Sequence, residues 1–188
     1  MKLKNNNYLE NYFKTFNKVL INSFDKDKID QARVLLTQIK KKNNKIIVVG
    51  NGGSAAIASH VCIDYLKIAK LRCINFNDSS LFTCFANDYG HSNWMKEGIN
   101  FYGDKGDVLI SISSSGKSNN IVNACKAAKK KKFKTIITLT GFSLNNPVMK
   151  QGDINFWVNS KIYNFIENVH QIILLSISDY LAKIKIEK

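Results

Sequence analysis

Two segments of the chain have the composition of an anion-binding loop at the start of a helix. The first is Gly50–Ala56, which follows a β-branched run ending at Val49. The second is Ser113–Ser118, which contains four serines and one glycine and follows an apolar run that begins at Asp107. Backbone N–H groups and the helix dipole attract anions at such junctions, and glycine lets the backbone approach the ligand closely. We therefore predict that the two loops bind one phosphate-bearing ligand.

Two predicted helices carry acid–base side chains at helical spacing. His60 and Asp64 are four residues apart on the helix that follows the first loop, and Glu167 and His170 are three residues apart near the end of the chain. Residues three or four apart lie close together on a helix surface. Imidazole and carboxylate groups transfer protons, and they also bind metal ions. We predict catalytic roles for all four residues.

An alternation of strands and helices must position these groups. From residue 45, β-branched apolar segments alternate with helical patterns, which indicates an α/β fold with a doubly wound, mostly parallel five-stranded sheet in three layers. The predicted strands are 45–49, 72–76, 107–112, 134–139 and 154–158. The predicted helices are 54–69, 79–86, 92–102, 118–131 and 162–184. Residues 5–43 have helical spacing with no preceding strand, so we predict an N-terminal helical hairpin over residues 1–43 on an α/β core of residues 44–188, all in one domain.

The predicted topology brings the loops together. A doubly wound sheet binds ligands beyond the carboxyl ends of its strands, where the strand order reverses. Both anion loops follow predicted strands, and so does the segment Phe76–Ser80. We expect all three segments to contribute to one pocket.

The charge of the chain favours an acidic ligand. The 188 residues carry a formal net charge of +14, which suits either a nucleic acid or a small anion. The lysines are widely spread, and the runs Lys40–Lys42 and Lys129–Lys132 fall at the ends of predicted helices, where they complement the helix dipole. This distribution argues against nucleic acid and for a small anionic substrate.

The remaining bulk features indicate the compartment. No apolar stretch has the length of a membrane span, and the polar N-terminus does not resemble a signal peptide. Cys62, Cys73, Cys84 and Cys125 are isolated in apolar segments, which predicts buried free thiols. We expect a cytoplasmic protein with no membrane partner.

The motifs, taken together, resemble those of the sugar isomerase (SIS) domain family. They are Gly50–Ala56 with His60, then Asn87–Gly90, then Gly106–Leu109 leading into Ser113–Ser118. Within the family, the chain is similar to the sedoheptulose-7-phosphate isomerases, or phosphoheptose isomerases. The resemblance implies a flavodoxin-like fold, a homotetramer with active sites between subunits, and interconversion of sedoheptulose 7-phosphate and D-glycero-D-manno-heptose 7-phosphate.

The resemblance also implies roles for individual residues. The positions that match the family's substrate-binding residues are Asn51, Gly52, Gly53, Ser54, Asn87, Asp88, Ser113, Ser114, Ser115 and Ser118. The serines among them match the family's phosphate-binding loop. Lys117 stands in that loop where the family usually has asparagine.

The chain departs from the family at the zinc ligands. His60 matches one ligand, but Asp64 stands where the family has glutamate, Glu167 where it has glutamine, and Leu175 where it has histidine. Leucine cannot bind a metal, so the resemblance leaves His60, Asp64 and Glu167 as a three-ligand zinc site. His170 is a further candidate ligand. Alternatively, the carboxylates act as acid–base groups without a metal.

Three functions remain open on the sequence. The first is a phosphoheptose isomerase that serves heptose biosynthesis for surface polysaccharide. The second is a SIS module without catalysis that binds a sugar phosphate or a protein, as in the DnaA initiator-associating protein. The third is an isomerase of another sugar phosphate. Asp64, Glu167 and His170 favour an enzyme, because a binding module needs no acid–base groups beyond its phosphate loops.

Overall fold

A five-stranded sheet with all strands parallel forms the centre of the molecule, for which the computed structural model describes residues 7–187. The strands are β1 (Lys45–Val49), β2 (Arg72–Asn75), β3 (Val108–Ser113), β4 (Thr135–Thr140) and β5 (Ile154–Trp157). Their order across the sheet is β2-β1-β3-β4-β5. The five predicted strands are confirmed, and their predicted ends differ from the observed ends by no more than one residue.

The helices of the described range include all those predicted. They are α1 (Asn7–Asn22), α2 (Lys26–Lys41), α3 (Gly53–Lys67), α4 (Ser79–Tyr89), α5 (Trp94–Tyr102), α6 (Asn119–Lys130) and α7 (Tyr163–Ala182). A 3₁₀ turn at Met149–Gln151, which the sequence pattern did not predict, lies between β4 and β5.

The three-layer arrangement follows from the burial of both faces of the sheet. Ile46 and Val48 of β1 pack in one hydrophobic cluster with α2, α3 and α7, whereas Ile47 and Val49 pack in a second cluster with α5 and α6. Successive side chains of a strand point to opposite faces, so a strand covered on both sides reads as an unbroken apolar run. This property explains why the strands could be recognised in the sequence, and it confirms the predicted fold class.

The strand order reverses between β1 and β3. The chain passes from β1 outward to β2 and then returns across β1 to β3, which pairs with β1 in a register that places Val49 opposite Ser111. The loop after β1 and the loop after β3 therefore begin side by side. This is the switch point at which a doubly wound sheet binds its ligands.

At the opposite end of β1 and β3, Asp107 holds the two strands together. Its carboxylate accepts hydrogen bonds from the backbone N–H groups of Lys45 and Asp104, both at 2.9 Å, and it lies 2.6 Å from the Lys45 ammonium. Asp107 was predicted to be the first residue of a strand, but β3 begins one residue later, and the Asp107 side chain instead binds the backbone at the start of β1.

The predicted N-terminal helices are present over residues 7–41, and residues 1–6 lie outside the described range. In α2, Ala32, Leu35, Leu36 and Ile39 are buried. The first helix rests on α7 through Tyr12 and Phe16, whose rings lie 4.7 and 5.5 Å from that of Phe165. On its other side, Tyr8, Leu9 and Phe13 each remain at least 60% exposed. The single-domain assignment stays a prediction.

The cysteines are free thiols, as predicted for the four of them, but one is not buried. Cys62, Cys73 and Cys125 are buried, whereas Cys84 is exposed on the outer surface of α4 near Asp88. The prediction that Cys84 is buried is therefore wrong, because α4 presents this face to solvent. None of the helices described here is both long and apolar enough to cross a membrane.

Candidate active site

A pair of asparagines joins the two anion loops. Asn51 donates from its amide to Asn120 at 3.0 Å, and Asn120 donates back to Asn51 at 2.9 Å. Asn120 is buried in the first turn of α6, so the loop after β1 is fixed to the helix that follows the serine loop. The reciprocal bonds satisfy both amides and hold the loops in one arrangement.

A small cavity of about 160 Å³ lies between the loops, at the N-termini of α3 and α6. Its lining residues are Asn51, Ser54, Ile112, Ser113, Ser114, Ser115, Ser118, Tyr163 and Glu167. Two helix N-termini and a row of hydroxyl groups provide the donors that a phosphate requires. The predicted convergence of the two loops is what the structure shows.

The serine loop is held by its own hydrogen bonds. The Ser113 hydroxyl donates to that of Ser118 at 3.2 Å, and the Ser115 hydroxyl accepts from the backbone N–H of Lys117 at 3.3 Å. Gly116 has a φ of +67°, and a Cβ there would collide with Asn146. Glycine is therefore required at the tip of the loop.

Glu167 places a carboxylate in this cavity. The Ser114 hydroxyl donates to Glu167 Oε1 at 3.3 Å. The other carboxylate oxygen lies so close to the backbone of Gly53 that any Cβ at residue 53 would collide with it. Glycine at position 53 thus admits a side chain from α7 to the start of α3. Anion-binding groups and a carboxylate consequently share one small space.

A second polar cluster lies farther along α3. His60 Nε2 is 3.8 Å from Asp64 Oδ2, and His60 Nδ1 is 3.3 Å from the side-chain amide of Gln171 on α7. His60 follows Gly53 by seven residues, which corresponds to about 10 Å along a helix. The His60 side chain is 48% exposed, so this cluster opens to the surface.

The comparison with known families agrees with this architecture. A family model described as the SIS domain matches residues 8–141 of the chain.

The chain belongs to the SIS domain family.

Several relatives of this SIS domain chain are phosphoheptose isomerases. A phosphoheptose isomerase of Colwellia psychrerythraea is 35% identical over 161 residues, which are 81% of this chain and 82% of that protein. A solved phosphoheptose isomerase from Francisella tularensis superposes with a TM-score of 0.88 at 26% identity, covering 96% of this chain and 100% of that one. A second, from Neisseria gonorrhoeae, gives a TM-score of 0.85 at 26% identity, with coverages of 94% and 97%. The predicted family and fold are confirmed.

The zinc site expected from the family does not form within one chain of this SIS domain. Among residues 7–187, no three His, Cys, Asp or Glu side chains come close enough to hold a metal ion. His60 and Asp64 are neighbours, but Glu167 reaches the start of α3 instead, beside Gly53. Leu175 packs against the hydrophobic core. The described residues of one chain thus do not form a three-ligand cluster, and the zinc site at His60, Asp64 and Glu167 stays a prediction.

His170 belongs to the core and not to the site. It is fully buried, and its Nε2 lies 3.1 Å from the backbone carbonyl of Thr140, to which it donates. Burial lowers the pKa of His170 to about 4, so the ring is neutral at pH 7. The packing of α7 encloses His170 in the core, whereas Glu167 is only partly buried and reaches the cavity, so the structure does not bring the two groups together there and the catalytic role of His170 stays a prediction. Thr140 precedes Gly141, whose N–H donates to Ser114, so His170 supports the serine loop from beneath.

Asn87 and Asp88 also lie outside the cavity. Both are exposed in the last turn of α4, where the Asn87 amide donates to Asp88 at 2.9 Å. Ser79, at the first turn of α4, faces the site, and the helix carries Asp88 about 13 Å farther along its axis. The cavity of a single chain therefore does not include this pair, and its role in substrate binding stays a prediction.

A wider cleft of about 670 Å³ adjoins the small cavity, and Asn51 lines both. Its walls are Gly50, Asn51, Gly52, Ala55, Ala56, Ser59, Phe76, Asn77, Ser79, Phe82, His91 and Trp94. The segment after β2 thus contributes, as expected.

The sequence reasoning missed His91 and the aromatic wall, because they come from the turn between α4 and α5 and from helices without a polar motif. It also missed Gln171, although this residue lies four positions, or about one helical turn, after Glu167, and that spacing could have indicated a place on the same face of the helix.

We predict that Gln171 fixes the ring of His60. In Gln171→Ala, the imidazole loses its partner at Nδ1, so the two neutral tautomers should become mixed where the native protein favours one. The ring ¹⁵N chemical shifts of His60 measure this change directly. Because the contact is exposed, the free energy of unfolding should fall by less than about 1 kcal/mol. Gln151→Ala, which removes the glutamine that pairs with Lys129, is the matched control and should leave the His60 shifts unchanged.

Proposed function

We propose that this chain is a phosphoheptose isomerase, which interconverts sedoheptulose 7-phosphate and D-glycero-D-manno-heptose 7-phosphate for the heptose of surface polysaccharide. The family membership and the similarity to several phosphoheptose isomerases support the class of reaction. The observation that carries the proposal is the 3.3 Å hydrogen bond from Ser114 to Glu167, which joins the anion loop to an acid–base group in one cavity.

The serine loop binds the phosphate in this proposal. Ser113, Ser115 and Ser118 present hydroxyl groups to the cavity, and the N-terminus of α6 adds backbone N–H groups and partial positive charge. The phosphate takes no part in the proton transfers. Its role is to hold the sugar in one orientation, which removes much of the entropic barrier.

Glu167 is the acid–base group nearest the bound sugar. Aldose–ketose isomerisation moves a proton between C1 and C2 through an enediol and requires a base at carbon and a proton shuttle between the oxygens. The negative charge of Glu167 repels a phosphate, so the carboxylate faces the sugar carbons while the phosphate lies toward Ser118. His60 and Asp64 supply the second pair of proton-transfer groups farther along α3.

The first test is isomerisation itself. Sedoheptulose 7-phosphate incubated with the protein should give an aldose signal by NMR, and Glu167→Gln should abolish it.

The double variant Ser115→Ala and Ser118→Ala should weaken binding of the sugar phosphate by about 1–2 kcal/mol per lost charge-assisted hydrogen bond, measured by calorimetry. Ser176→Ala, on the far part of α7, is the control. Binding without any aldose would support a non-catalytic module, and unchanged affinity would contradict the phosphate site.

We further propose that Asp64 and Glu167 work as acid–base groups without a bound zinc ion. The reason is the separation of Glu167 from the His60–Asp64 pair within the chain. After exhaustive chelation, the wild type should retain full activity, while Asp64→Asn and Glu167→Gln should remain impaired whether or not zinc is added. Activity that falls on chelation and returns with zinc would instead support the ligand set His60, Asp64 and Glu167.

A homotetramer is the proposed assembly. The exposed apolar side chains Leu9 and Phe13 on α1, and Ile63 and Leu66 on α3, form surfaces that a partner subunit would cover. Light scattering at micromolar concentration should give about four times the chain mass of 21.3 kDa. Phe13→Asp should reduce that mass, while Ile186→Asp, at an equally apolar but terminal position, should not. A monomeric wild type would contradict the proposal.

The compartment proposed for the enzyme is the cytoplasm, and its partner is the sugar phosphate rather than a nucleic acid. Free thiols at all four cysteines support a reducing environment.

A further inference from the structure

Two of the buried cysteines are in direct contact. The thiol of Cys73 on β2 donates a hydrogen bond to the sulfur of Cys62 on α3, with 3.3 Å between the sulfur atoms. Their residues are only 2% and 4% exposed. Neither cysteine lines the candidate active site, and the packing of α3 on the sheet is what brings them together. The contact therefore has no part in the function proposed above.

Contact between the sulfur atoms is the reason to expect a disulfide here, because two cysteines can be bridged only when their side chains already point toward each other. The other two cysteines lie elsewhere: Cys84 is exposed on α4 near Asp88, and Cys125 is buried in the hydrophobic cluster on the other side of the sheet.

We propose that Cys62 and Cys73 form a peroxide-sensitive site that closes to an intramolecular disulfide. One of the two thiols, as its thiolate, attacks one oxygen of hydrogen peroxide, the O–O bond breaks, and sulfenic acid and hydroxide form. The sulfur of the other cysteine then attacks the sulfenic sulfur, and the S–O bond breaks with release of water. In total, the two thiols lose two electrons and two protons, and one peroxide becomes two waters.

The disulfide would act on the candidate active site through α3. A disulfide holds its sulfur atoms about 2.05 Å apart, which is shorter than the present contact, so closure draws this turn of α3 toward β2. Cys62 lies two residues after His60 and two before Asp64, and these side chains leave the same turn on its outer side. A displacement of about 1 Å is enough to lower catalytic rates by up to 100-fold. This consequence for activity rests on the proposed isomerase function.

The covalent step is tested on the full chain by mass. Wild-type protein treated with hydrogen peroxide and then alkylated should lose two hydrogens and show a linked peptide pair containing Cys62 and Cys73, both reversed by a dithiol reductant. Because the thiols are buried, closure should be slower than alkylation of the exposed Cys84. Cys84→Ser is the matched control and should form the same link. In Cys73→Ala, dimedone should trap a sulfenic acid at Cys62.

The outcomes separate this inference from the proposed isomerase. Absence of the linked peptides in folded wild-type protein, or their formation only after denaturation, would overturn the disulfide. Neither result depends on activity or on a variant that folds. If isomerase activity is present, peroxide should reduce it by about 10- to 100-fold in the wild type and in Cys84→Ser, but not in Cys73→Ala. A disulfide that leaves activity unchanged would overturn only the coupling to α3.

Discussion

The carboxylate of Glu167 lies against the backbone of Gly53, and the arrangement of the whole site depends on this close approach. A Cβ at residue 53 would meet the Glu167 carboxylate, which would have to turn away. That turn would separate the carboxylate from the Ser114 hydroxyl. A single missing Cβ thus allows an acid–base group from the end of the chain to meet loops formed far earlier in the sequence.

The third helix connects the parts of the molecule that act on a ligand. Its N-terminus contributes to the anion-binding cavity, its exposed side carries His60 and Asp64, and its buried side places Cys62 against the sheet. Groups on one rigid helix keep fixed relative positions. A change at any of them, whether a bound phosphate or an oxidised sulfur, acts on the same element, which is the physical basis for expecting coupling between them.

The positions at which the chain departs from the family pattern can be placed in the structure. Glu167 introduces a negative charge where the family has a neutral glutamine, and an amide is found instead at Gln171, one turn along α7 and beside His60. Leu175 joins the core, where a histidine would need a polar partner. These changes are consistent with one another, because each puts a different group at or beside a position where the family has a metal donor: a carboxylate at Glu167, an apolar side chain at Leu175 and an amide at Gln171.

The sequence alone determined the sheet, the helices and both anion loops, because strand burial, helical spacing and the glycine and serine runs are local properties of the chain. It also indicated that Asn51, Ser54, Ser113, Ser114, Ser115 and Ser118 would share a cavity, because parallel strands end at one edge of the sheet, and the family resemblance placed Glu167 there as well. Tertiary structure decided the rest. The rotation of α7 buries His170 and turns Gln171 toward His60, and the course of α4 carries Asn87 and Asp88 away from the cavity. The position of α3 on β2 brings Cys62 to Cys73. Each of these outcomes depends on the relative placement of two elements, which packing of their apolar faces sets and which no single segment of sequence encodes.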